Sequence, residues 1–271
     1  MTYAGTEEKE GKFVQSVERA INIIEVMAEE AAPVTVTELA DKVNLKISTV
    51  HRLLSTLMHR GYVEQDENNK YKLGLKLMEI GNKVQHFADL RAVARPYLEE
   101  LVDRCNETAN LSILDNTEVV YIDQVESNNL IIVKMFAQVG NRGPVHCTAS
   151  GKVLVAFLPQ EKIEEILDKI SLDKYTDKTI SDARFLEKEL GEIRKAGYAL
   201  DLGEREEHVR CVAAPVFNHE GRVLASLSVS GPSTRINDQY LTELKEIVKD
   251  VAHKISVKMG FQDLSNEETK A

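Results

Sequence analysis

The chain has 271 residues, 43% hydrophobic and 29% charged, a length that holds two domains and the composition of an ordinary soluble globular protein. No run approaches the roughly 18 consecutive apolar residues that a membrane span needs. The polar start, MTYAGTEEKEGK, lacks the apolar stretch of a secretory signal. The three widely spaced cysteines, Cys105, Cys147 and Cys211, argue against a disulfide framework and suit a reducing cytoplasm. The net charge of −10 runs against nucleic-acid binding as a total, but from Lys42 to Val63 there are four basic residues and no acidic one.

In chain order, Val14, Val17, Ala20, Ile21, Ile24 and Met27 recur at helical spacing and predict an amphipathic helix over 14–28. After the Ala31-Ala32-Pro33 break, Thr35-Val36-Thr37-Glu38 is a capping box that starts a short helix through Lys42. A polar turn, Asn44 to Lys46, leads to a third helix over 48–60. There Val50, Leu53, Leu54 and Leu57 face inward, and Gly61 stands at the C′ position. Tyr62-Val63-Glu64 and Tyr71-Lys72-Leu73 read as strands joined by a hairpin tip from Asp66 to Lys70.

Helix, helix, turn, helix and hairpin make a winged helix-turn-helix, in which the third helix enters the major groove and the hairpin tip reaches a neighbouring phosphate or the minor groove. A small helical bundle is the alternative, but a bundle has no need of an acid-free helix carrying Ser48, Thr49, His51, Arg52 and Ser55. Arg52 can pair bidentately with guanine, and Ser and Thr read base or phosphate. Lys46 and Lys70 suit phosphate positioning. His51 packing under the wing and Arg52 serving as a surface ion partner are the plain alternatives.

A helix over 75–88 carries Leu75, Leu77, Met78, Ile80 and Val84, more apolar surface than a free linker tolerates, and reads as a packing surface between subunits, with packing on its own second domain as the alternative. A second helix follows from Asp89 through Asn106. Beyond it, Leu111–Leu114, Glu118–Val125, Leu130–Phe136, Tyr198–Leu202, Arg210–Phe217 and Arg222–Ser230 read as strands. Ala149–Leu158, Gln160–Ile170, Asp182–Ala196 and Asn237–Met259 read as helices, and Asn218–Gly221 makes a hairpin link. An antiparallel sheet flanked by helices places this domain in the α+β class. The expected division is 13–74 for DNA binding, 75–88 for the linker helix and 89–261 for the second domain.

Several stretches together resemble the IclR family of bacterial transcriptional regulators. They are Val17-Glu18-Arg19-Ala20, Glu38-Leu39-Ala40, Ser48-Thr49-Val50-His51-Arg52-Leu53-Leu54 and Tyr71-Lys72-Leu73-Gly74, then Gly143-Pro144-Val145-His146-Cys147-Thr148-Ala149-Ser150-Gly151-Lys152. Gly197-Tyr198-Ala199 with Asp201 and Glu204, Arg210-Cys211-Val212-Ala213-Ala214-Pro215-Val216, and Ser228-Val229-Ser230-Gly231-Pro232 complete the set. The resemblance implies a GAF/profilin-like effector domain, dimerisation through the linker helix, and binding of operator DNA as dimers or pairs of dimers under control of a small metabolite, often an organic acid. The reading is therefore a cytoplasmic regulator, a repressor, with no catalytic role and no cofactor.

The family's effector pocket maps onto Ile132, Met135, Ala149, Ser150, Asp201, Val209, Cys211, Ser228 and Ser230. By resemblance Ile132, Met135 and Val209 form its apolar wall. The segment around Ala149 and Ser150 enters a helix, whose free N–H groups suit a carboxylate. Asp201 would repel a second acid, so a ligand with an acid at one end and a hydroxyl or keto group at the other fits best. Two positions depart from the family pattern: His208 stands where glycine is common, and Asn106-Glu107-Thr108 replaces Gly-Glu-Thr. Two rivals use the same residues. A Cys211/His146/Asp201 hydrolase is weakened by the mid-strand, apolar setting of Cys211. A zinc-responsive regulator using His146, Cys147, Asp201 and Cys211 lacks any closely spaced ligand pair.

Overall fold

The computed structural model describes residues 13–30, 32–81, 85–127, 129 and 136–262. They form two compact units, Met1–Gln85 and His86–Ala271.

In the first unit α1 (Gln15–Glu29), α2 (Val36–Lys42) and α3 (Ile47–His59) precede a hairpin of β1 (Val63–Gln65) and β2 (Tyr71–Leu73), and α4 (Lys76–Gly81) follows. Local chemistry sets these boundaries. Thr35 and Glu38 close the expected capping box, the Thr35 hydroxyl accepting from the Glu38 N–H and the Glu38 carboxylate from the Thr35 N–H. Helices α2 and α3 both stop on a left-handed residue followed by a 6→1 bond. Asn44 (φ 50°) lets the Leu45 N–H reach the Ala40 carbonyl at 3.0 Å, and Gly61 (φ 77°) lets Tyr62 reach Leu57 at 2.9 Å. Val34 bonds Tyr71 in both directions, which adds a one-residue third strand to the hairpin. The core gathers Ile23, Met27, Leu39, Val50, Leu54, Leu57, Val63 and Tyr71.

One expectation needs correction here. Helix α1 buries Ile23 and Met27, whereas Val14, Val17 and Ile21 of the expected apolar stripe are exposed on its other side. The helix is apolar on two sides, and the core of its own unit is wide enough for one of them.

The second unit holds a six-stranded antiparallel sheet in the order β5-β4-β3-β8-β7-β6. Its strands are β3 (Thr108–Asp115), β4 (Glu118–Val125), β5 (Arg142–Pro144), β6 (Ala199–Asp201), β7 (Val209–Phe217) and β8 (Val223–Pro232). Two long helices, α5 (Gln85–Cys105) and α9 (Asp238–Lys258), frame the unit in sequence, and α6 (Ala149–Ala156), α7 (Gln160–Lys169) and α8 (Ala183–Ala196) lie between. The period of two along each strand sorts the side chains. Ala109, Leu111, Ile113, Val212, Ala214, Val216, Ala225, Leu227 and Val229 join α5 and α9 in one apolar core. The intervening residues include Asn110, Ser112, Ser226, Ser228 and Ser230, all buried. Next to them Ala213 and Cys211 join a second core with α6, α7 and α8. A polar stripe thus runs along the middle of the sheet's α6 side.

The helices expected over 75–88 and 89–106 divide elsewhere: residues 85–88 belong to α5, whose buried face carries Leu90, Ala94, Leu98, Leu101 and Cys105. Of the strand expected over 130–136, residues 130–135 lie outside the described residues, and Phe136 is in a bend. Strand β5 was not expected; it pairs Arg142–Pro144 with Glu118–Val120.

Candidate functional site

In the first unit Ser48, His51, Arg52 and Ser55 are exposed on α3, and Thr49 is half-buried. Ser48, Arg52 and Ser55 fall on successive turns, so they form one row along the helix. Lys46 is the N-cap residue of α3 and Lys70 ends the hairpin tip, both exposed. The tip is tied by the Asp66 carboxylate, which accepts from the N–H groups of Asn68 (2.8 Å) and Lys70 (2.9 Å). Lys42 and Lys72 of the same unit are paired with Glu30 and Glu64. Lys46, Arg52 and Lys70 enter no such pair among the described residues. A cleft between α3 and the hairpin is lined by His51, Ser55, Met58, His59, Gln65 and Tyr71. Its side can meet a phosphate backbone without first breaking an ion pair, and His51 borders this cleft with its ring exposed rather than buried beneath the wing.

In the second unit a small pocket opens over the polar stripe. Ala149, Ser150, Asp201, Val209, Cys211, Ser228 and Ser230 all line it. Ile132 and Met135 lie outside the described residues. The register explains the convergence. Cys211 lies opposite Asp201 on one side and Ser230 on the other, and Ser228 lies opposite Asn110.

Helix α6 brings its first turn to the same place. Thr148 caps it by accepting from the Gly151 N–H at 3.1 Å, which leaves the N–H groups of Ala149 and Ser150 for a ligand. Gly151 permits this seat, since a Cβ there would fall 2.4 Å from the Val145 Cα. Lys152, one residue on, is 1% exposed and donates to Glu204 at 2.6 Å, pinning α6 to the loop after β6.

Asp201 ends β6 with one oxygen accepting from the N–H groups of Gly203 (3.0 Å) and Glu204 (2.7 Å). Burial, reinforced by the nearby Glu204 charge, raises its carboxyl to about 7. Burial pushes the Cys147 thiol up to about 12 and lifts Cys211 well above its ordinary range, so both stay protonated. That is the reverse of what a nucleophile needs. His146 is committed through Nε2 to the Asp173 carbonyl at 3.0 Å. Among the described residues no three His, Cys, Asp or Glu side chains are grouped to hold a metal ion, so the zinc alternative finds no site there.

The pocket also contains residues that sequence reasoning missed: Asn110, Tyr121, Phe136, Thr148, Arg205 and Glu206. Asn110 could have been found from alternation, since it is the one polar amide in the apolar run of β3. It donates to the Ser230 hydroxyl at 3.1 Å and accepts from the Gln124 amide at 2.7 Å. Arg205 and Glu206 come from an acidic loop that reads as a solvated charge run, and nothing local marks them.

Comparison with known proteins agrees with this architecture. The family model for the IclR helix-turn-helix domain matches residues 16–67, and that for the bacterial transcriptional regulator IclR C-terminal domain matches residues 82–257. The HTH-type transcriptional regulator XynR of Escherichia coli is 39% identical over 92% of this chain and 98% of its own length. KdgR of the same organism is 36% identical over 94% and 97%. Among solved structures, the Thermotoga maritima IclR superimposes with a TM-score of 0.80 at 32% identity, covering 91% of this chain and 99% of that one. An IclR homologue from Microbacterium hydrocarbonoxydans, solved with 4-hydroxybenzoate, gives a TM-score of 0.80 at 27% identity, over 90% and 98%. These relatives are transcriptional regulators, not enzymes. With two family models matching in order along most of its length, a helix-turn-helix in one unit and a buried polar pocket in the other, the chain belongs to the IclR family of bacterial transcriptional regulators.

Proposed function

We propose that the chain is a cytoplasmic repressor that binds operator DNA as a homodimer or a pair of dimers, and whose operator affinity is set by a small organic acid held in the pocket of the second unit. The observation that carries this reading is the convergence of Ala149, Ser150, Asp201, Cys211, Ser228 and Ser230 from four separate segments onto one pocket. Arg52 reads a base, Ser48, Thr49, His51 and Ser55 read bases or phosphates, and Lys46 and Lys70 hold phosphates. In the pocket the first turn of α6 receives a carboxylate, and the hydroxyl or keto end of the ligand faces Asp201 and the two serines. The 4-hydroxybenzoate bound by the Microbacterium homologue is an acid with a hydroxyl at its far end, which fits this pattern.

Dimerisation uses the 75–88 segment, supported by the exposed side chains of Leu75 and Met78, and the exposed Val14, Val17 and Ile21 offer further apolar area. The domain limits proposed are 13–74, 75–88 and 89–261. Effector binding shifts the population between two spacings of the paired reading helices, and a palindromic operator accepts only one of them.

Selection from a random duplex library tests the DNA half. The wild-type protein is expected to enrich a palindromic sequence. Arg52→Ala is expected to weaken binding to it by about 1–3 kcal/mol and to relax the preference at one base pair per half-site. An unchanged binding curve for Arg52→Ala would mean that another element reads the bases.

A further inference from the structure

We propose that Arg205 is the specificity-determining residue of the effector pocket: its guanidinium pairs with the carboxylate of the ligand and makes the site select an acid over its neutral analogue. This rests on the reading of the pocket as the effector site and goes on to name the group that recognises the acid.

The guanidinium of Arg205 lies over two aromatic rings, 4.4 Å from the centre of Phe136 and 4.1 Å from that of Tyr175. Both rings stabilise the cation. Neither is a conventional acceptor for its N–H donors. Among the described residues none of those donors is bonded, and the Nε is fully buried without a partner. A buried donor left unpaired is costly, and an unpaired one on a cation more so.

The three acids that share this region with it make their bonds to other groups. Glu204 holds Lys152 through Oε1 at 2.6 Å, and its Oε2 is buried without a partner. Glu206 accepts from the Phe136 N–H at 3.0 Å. Asp201 accepts from the Gly203 and Glu204 N–H groups. None of the three forms an ion pair with Arg205, whose fork borders the pocket that it lines.

The loop that carries Arg205 is itself tied down. Thr176 and Thr179 donate to the carbonyls of Gly203 and Glu204 at 2.7 and 2.6 Å, and Lys178 donates to that of Leu202 at 2.9 Å. A cation placed by this many contacts and left without a counter-ion is suited to a planar carboxylate, which takes two parallel bonds from one guanidinium. The N–H groups at the start of α6 supply hydrogen bonds and a partial charge to the same anion; Arg205 supplies the full charge. Arg205 and Glu206 also line a second, outer cleft with Lys174 and Asp177, so the guanidinium stands on the boundary between the two.

The test compares full-length wild type, Arg205→Gln and Arg205→Lys by thermal shift, against lactate, malate, gluconate and 4-hydroxybenzoate, each beside its neutral amide. At least one acid is expected to raise the wild-type melting temperature where its amide does not. The apparent Kd for that acid is expected to rise about tenfold or more in Arg205→Gln. Arg205→Lys keeps the charge without the planar fork and is expected to fall between; it carries the comparison alone if the glutamine variant does not fold. An acid that stabilises wild type and Arg205→Gln equally, or an amide that matches its acid in the wild type, overturns this proposal and leaves the effector reading standing. A wild type indifferent to every acid overturns both.

Discussion

Asn106 shows how a single backbone angle explains a departure from a family pattern. It ends the turn between α5 and β3 at φ 52°, the left-handed region where glycine is the usual occupant. Asparagine is among the few other residues that tolerate it. Its side chain also donates to Asn129 at 3.1 Å. His208, the other departure, has no such angle; it is exposed, and its carbonyl accepts from the Ser233 N–H.

Asp201 carries the clearest pH dependence at this scale. Its value rises from an ordinary 3.8 to about 7, so the folded protein binds the proton more tightly than the unfolded chain does. Its stabilising contribution is therefore complete below about pH 3.8 and is lost as pH rises through about 7. Lys152 opposes the shift, and Glu204 adds to it. Asp201→Asn cannot ionise. Relative to that variant, the wild-type melting temperature is expected to drop between about pH 4 and about pH 7 and to level off above that. A difference between the two proteins that stays flat over this range would show that Asp201 does not titrate there.

Single elements were legible where their signals are local and poorly legible where they depend on a neighbour. The capping box at Thr35 and Glu38, and the C′ residue Gly61, specify helix ends through contacts within a few residues, so α2 and α3 follow from the sequence. The resemblance to the family named Cys211, Ser228 and Ser230, and the spacing of two puts Ser228 and Ser230 on one side of the sheet. Strand β5 escaped because three residues, with Gly143 and Pro144 among them, carry no period and depend on β4 for pairing. The exposed side of α1 was misjudged because periodicity reports that a stripe is apolar without saying which surface covers it.

Helix α6 makes the element-scale prediction. All eight of its residues are buried, and Gly151 lets it sit against Val145. Helix propensity alone favours Gly151→Ala by about 1 kcal/mol. The close approach is expected to outweigh that and destabilise the protein by about 1–3 kcal/mol in urea unfolding, with effector affinity falling as α6 shifts. A stabilised Gly151→Ala would mean that α6 has room to move.

For the whole molecule, the division of labour was visible in the sequence, as an acid-free basic helix ahead of a longer α+β segment. The polar character of the pocket was visible too. Its charge was not, because Arg205 meets Phe136 and Tyr175 only after some seventy residues of chain have been brought together by the sheet and its loops. Under the proposed function, what joins the two units is a coupling free energy between pocket and operator, typically about 1–3 kcal/mol. On the same proposal, the net charge of −10 would disfavour binding of duplex at large and leave that coupling to act on a specific contact.

The most direct measurement is operator affinity, by fluorescence anisotropy on the selected palindrome, with and without an acid shown to stabilise the protein. The expected result is a Kd weakened by about 5–150-fold at saturating acid in the wild type, and no change on adding acid to Asp201→Ala. An operator affinity that is the same with the pocket filled or empty would contradict the central claim that this pocket governs DNA binding.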